Sequence, residues 1–198
     1  MRLFDIFKRK RKEYKPQFAG RVLQTELDDF LIVELVPREN ITELAKDAKA
    51  IQNISENHSG KYGSFKVHVI EKKDVETVDR NIPINEVFKI LNDSGLEKFD
   101  TVTTWSSSIQ EDSKFSTAYG VRSGAIIVER IRDVANHIWF DLHPTWLKDE
   151  VRTQLEPVIH RVCLNWNLVL VDRRLNVIVD ASDKTALNEY LYQEDDEE

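Results

Sequence analysis

The hydrophobic positions of this chain recur with two periods, near two and near 3.6 residues, and the elements change where the period changes. Residues 29–36, DFLIVELV, are apolar on both faces over the length of a strand, which predicts an interior strand. A helical stripe of Ile41, Leu44, Ala45, Ala48 and Ile51 predicts a helix to about residue 55, with Asn40 and Glu43 at capping-box spacing.

 Beyond the break HSGKYG, Phe65, Val67 and Val69 alternate with Lys66 and His68 as a strand with one wet face does, and a second, weaker strand pattern falls near 75–80. Pro83 opens another helix, with Ile84, Val87, Phe88 and Leu91 on one stripe and Gly95 positioned as a left-handed cap. A strand at about 99–105 follows.

Residues 106–124 are rich in Ser, Thr and Gly and are expected to form a long surface loop or hinge, with a possible sub-division of the domain there. GAIIVERI (124–131) and HIWFDL (137–142) then read as strands. Leu147, Val151, Leu155, Val158, Ile159 and Val162 continue a helical stripe through Pro157, which predicts a kink or two abutting helices. LVLV at 168–171 and VIV at 177–179 flank a polar turn as a hairpin, and Ser182 or Asp183 caps a last helix bearing Leu187, Tyr190 and Leu191. Strands that follow one another in sequence point to an α+β fold: a largely antiparallel sheet with helices packed against it, plus a short basic N-terminal helix. The expected organisation is a basic amphipathic segment and tether over 1–16, one α+β domain over 17–192, and an acidic disordered tail over 193–198.

Composition sharpens this picture in three ways. The 198 residues are 41% hydrophobic, enough to bury one full core and too apolar for a disordered chain. The net charge of −7 hides an asymmetry: residues 1–15 hold seven Lys/Arg against two Asp/Glu, so the remainder holds 21 against 33 and carries −12. Such a body repels nucleic acid and suits a basic protein partner. Cys163 is the only cysteine, which excludes an intrachain disulfide and Cys-rich zinc modules and points to a reducing, cytoplasmic setting.

The chemistry-bearing candidates begin with NHIWFDLHP at 136–144. On a strand, His137, Trp139, Asp141 and His143 share one face, and Ile138, Phe140 and Leu142 share the other. His137 and His143 lie six residues apart, about 20 Å on a straight strand, so only Asp141 and His143 could share a metal ion. That pair defines the alternative of a metal-dependent hydrolase. The main expectation is that no metal or cofactor is bound, and that Trp139, Asp141 and His143 form a partner-binding face or lie under a second layer. Trp105, Trp146 and Trp166 are further bulky rings of the kind that anchor interfaces.

His160 and Cys163 are adjacent on a helix surface, a spacing open to a base and thiolate, although a buried cysteine beside a half-exposed histidine is the expected arrangement. YGVRSGA at 119–125 lacks the lysine and spacing of a phosphate loop, and reads as a flexible turn. Asp172, Arg173 and Arg174 sit at the hairpin tip, with Asp180 at the far strand end, where they could meet a partner or simply be solvated. At the N-terminus, Leu3, Phe4, Ile6 and Phe7 precede Lys8, Arg9, Lys10, Arg11 and Lys12, the combination that binds anionic membrane surfaces, so a peripheral adaptor at the inner face of the membrane is a further alternative.

The opening MRLFDIFKRKRK resembles the start of many bacterial cytoplasmic proteins in which a short apolar and basic peptide precedes an unrelated domain. In general character the acidic, glycine-poor body is similar to bacterial immunity proteins that neutralise toxins. That similarity implies a non-enzymatic module binding a basic protein partner, and no motif identifies a family.

Overall fold

The computed structural model describes residues 20–25, 33–60, 63–64, 74–104, 116–121, 124–142 and 148–192. Its elements in chain order are β1 (Val22–Thr25), β2 (Val33–Pro37), α1 (Ile41–His58), β3 (Ser59–Gly60), β4 (Gly63–Ser64), α2 (Ile84–Asp93), β5 (Thr101–Thr104), β6 (Ser116–Val121), β7 (Gly124–Ile131), β8 (Val134–Leu142), α3 (Asp149–Trp166), β9 (Leu168–Asp172), β10 (Val177–Val179) and α4 (Lys184–Leu191). Six strands form one sheet in the order β10-β9-β2-β8-β7-β6, and every neighbouring pair in it is antiparallel. β1 and β5 form a separate two-stranded parallel pair. The α+β reading therefore holds, with a largely antiparallel sheet and helices against it.

The registers sort the side chains into two faces. Leu35 stands opposite both Ile138 and Leu170, and Val33 opposite Phe140, so these residues share one face. That face packs with Ile84, Val87 and Leu91 of α2, Leu155, Ile159 and Val162 of α3, and Leu187, Tyr190 and Leu191 of α4 to form the main core. The amphipathic stripes explain why these helices lie there, since each hides its apolar positions on the same oily floor. On the opposite face a single row crosses all six strands: Ile178, Val171, Glu34, Trp139, Ile127 and Ala118. Two separate covers hide the ends of this row. Leu44 of α1, with Ile41, packs on Val36, Val169 and Val171, while Leu23, Phe99 and Val102 of the β1–β5 region pack on Trp139, Ile127, Ala125 and Ala118.

Several local expectations need correction. The strand near 75–80 is a 3-10 turn over Thr77–Arg80, because Asp79 accepts from the Glu76 amide at 2.8 Å and so binds its own backbone instead of a strand partner. The Asn40 capping box does not form. Asn40 is buried, donates to the Val75 carbonyl at 2.8 Å and accepts from the Val75 amide at 3.2 Å, pinning that turn to the start of α1. Within the expected loop at 106–124, Ser116–Val121 is the edge strand β6, paired antiparallel with β7. α3 runs as one helix through Pro157, whose ring is on the exposed side, where the missing amide bond faces water. Asp183 caps α4 as expected, accepting from the Thr185 amide at 2.8 Å. The expected strand at 65–69, the N-terminal segment and the tail lie outside the described residues.

Candidate functional site

The middle of the outer sheet face, between the two covers, carries a chain of ionic and polar side chains. Alternation along β2 places Glu34 on this face between Val33 and Leu35, which point to the core. Burial leaves Glu34 only 4% exposed, so its charge needs partners. Arg173, in the turn after β9, donates to Glu34 Oε1 from Nε at 3.0 Å and from Nη2 at 2.5 Å. His137 of β8 places Nε2 3.1 Å from Glu34 Oε2, and its Nδ1 lies 3.8 Å from Glu129 Oε2. Glu129 in turn accepts from the Trp139 indole at 3.0 Å. Arg173, Glu34, His137, Glu129 and Trp139 thus form one continuous strip drawn from three neighbouring strands and a turn.

The strip is graded in exposure. The side chains of Glu34 and Arg173 are nearly sealed, at 6% and 11%, whereas those of His137 and Glu129 are half-buried, at 27% and 31%. Chemically it can receive a cationic or hydrogen-bonding group at the Glu129 and His137 end, while the Glu34 end is already neutralised by Arg173. Sequence pattern pointed to His137 and Trp139 but missed Glu34 and Glu129. The available signal for Glu34 was a single acid inside the otherwise apolar run of 30–36.

The residues expected to bind a partner are placed as follows. Trp139 is 3% exposed and lies under a second layer made by Leu23, Phe99 and Val102 of the β1–β5 region, so its ring is not an open anchor. Asp141 is half-buried on the same face, and His143 lies outside the described residues. Asp172 is fully buried on the core side. It accepts from the Arg174 and Leu175 amides at 2.9 and 3.1 Å, from Arg174 Nη2 at 2.9 Å and from the Tyr190 hydroxyl at 2.8 Å. The tip at Asp172, Arg173 and Arg174 is therefore a set of internal ion pairs, where the sequence suggested solvated or partner-facing side chains. Burial, followed by the charge of Asp172, pushes the Tyr190 phenol well up from its ordinary value.

The His160 and Cys163 pair does not assemble a nucleophile. His160 Nδ1 is 3.1 Å from the Ala181 carbonyl, and Cys163 is buried, which pushes its thiol up and keeps it protonated. Asp180 forms an ion pair with Arg38, with Nη1 donating to Oδ2 at 2.7 Å. The Arg38 hydrogen bond holds the Asp180 carboxyl well below the usual carboxylate range. Among the described residues, no group of three or more His, Cys, Asp and Glu side chains is arranged to hold a metal ion. Among the same residues, no helix is long and apolar enough to cross a membrane. A shallow groove with room for little more than a water molecule, about 20 Å³, lies between α1 and the β9–β10 hairpin, lined by Leu44, Ala48, Ile51, Val171 and Ile178.

Comparison with protein-family models, with curated proteins and with solved structures finds no match to this chain.

Proposed function

We propose that the protein is a non-enzymatic interaction module of the cytoplasm that binds a basic protein partner, in the manner of an immunity factor occluding a toxin. The observation that carries this reading is the charge balance, 33 acidic against 21 basic residues from position 16 onward. A field of that sign accelerates encounter with a basic surface and discourages nucleic acid and anionic lipid. The engagement of His137, His160 and Asp172 in contacts between strands and turns, with Cys163 buried, supports it, because groups so held are not poised for substrate chemistry.

The test is affinity capture from the source cell at low salt, identification of the retained protein, and reconstitution of the complex from purified components. A stoichiometric complex with a basic protein is expected, whose activity is blocked on binding. If the purified components fail to associate, the reading is wrong.

A further inference from the structure

The two covers on the outer sheet face are attached in different ways, and the difference has a dynamic consequence. α1 is tied down at both ends of its contact: Asn40 clamps the Val75 backbone, and Asn176 in the β9–β10 turn donates to the Ala48 carbonyl at 2.7 Å. The β1–β5 pair stands apart from the six-stranded sheet and has four residues in each strand. A parallel pair of that size is not stable alone. Among the described residues, its apolar hold on the molecule is Leu23, Phe99 and Val102, gathered in a small cluster distinct from the main core, whereas Leu96 just before it belongs to the main core.

The other described ties between this region and the sheet are polar and lie at its margin. The Phe99 amide donates to the Ala118 carbonyl at 2.9 Å, and the Gly120 amide to the Glu97 carbonyl at 2.8 Å. Arg21 lies over the Phe99 ring at 4.6 Å, donates to the Gly120 carbonyl at 2.8 Å and pairs with Glu97 at 2.8 Å. We propose that β1 and β5, with the approach from Glu97 to Asp100, form a flap that opens as one unit about Leu96 and uncovers Trp139, Ile127 and Ala118 while the main core stays folded. Local opening of this kind follows when a segment shares few buried apolar contacts with the rest of the molecule. It makes the indole of Trp139, sealed in the closed form, intermittently accessible.

Native-state hydrogen exchange of the full chain, followed by NMR, tests the flap without knowledge of any partner. The Phe99 and Gly120 amides and the Trp139 indole N–H are reporters of the flap, and the Ala135 amide, bonded to the Ile82 carbonyl at 2.9 Å, reports the main core. The three flap reporters are expected to exchange at a common opening free energy that is lower than that of Ala135, with a smaller dependence on denaturant. Leu23→Ala is expected to speed the three by roughly tenfold or more and leave Ala135 unchanged. Equal exchange free energies for all four in the native protein would overturn the proposal. So would a Leu23→Ala or Val102→Ala chain that fails to fold, since the main core would then depend on the flap.

Discussion

Glu34 is the residue on which the outer face depends. It is the charged member of a row that is otherwise apolar and aromatic, and it is stable there because Arg173 and His137 reach it from either side. Removing one member of a buried ion pair strands the other, so Glu34→Ala is expected to cost about 3 kcal/mol in a urea titration. A loss below about 1 kcal/mol would mean that Arg173 finds water in place of the carboxylate. Tyr190 provides a pH-dependent counterpart on the core side. Its folded-state pKa is raised, so the protonated phenol contributes stability in full below the unfolded value of about 10 and loses it as pH rises beyond that. Tyr190→Phe is expected to be about 1 kcal/mol less stable at neutral pH, through loss of its hydrogen bond to Asp172, and to show a shallower decline under alkali. An unchanged alkaline slope, measured by denaturant titration at several pH values, would separate Tyr190 from that decline.

At the scale of elements, periodicity carries far and pairing does not. The alternation through His137 to Leu142 is legible, and Ile138, Phe140 and Leu142 do face the core. The stripes of α2, α3 and α4 are equally plain, because burial against one face demands apolar residues every three or four positions. By contrast, nothing in the spacing of Val22–Thr25 and Thr101–Thr104 shows that they pair in parallel, since that contact joins segments far apart in the chain. Glu34 and His137 likewise meet across two strands separated by 103 positions. The hairpin of β6 and β7 depends on a position that only backbone geometry reveals. Gly120 has φ of +124°, and a Cβ there would lie 2.3 Å from the Gly124 carbonyl oxygen. Gly120→Ala is therefore expected to destabilise the protein by about 2 kcal/mol or more in thermal and urea unfolding, and a neutral effect would show that the strand can shift.

For the whole molecule, one sheet is sealed on one side by three helices and covered on the other in two pieces, with an ionic strip between them. The charge balance sets how such an object meets other molecules, and the proposed function rests on its attraction for a basic protein surface. Long-range attraction of this kind acts on the approach and is screened by salt, while short-range contacts govern departure. The most direct measurement is therefore the association rate constant with the captured and purified partner as a function of ionic strength. A fall of roughly tenfold or more between low and high salt, with a much smaller change in the dissociation rate, is the expected result. An association rate indifferent to salt would contradict capture of a basic partner by the acidic body.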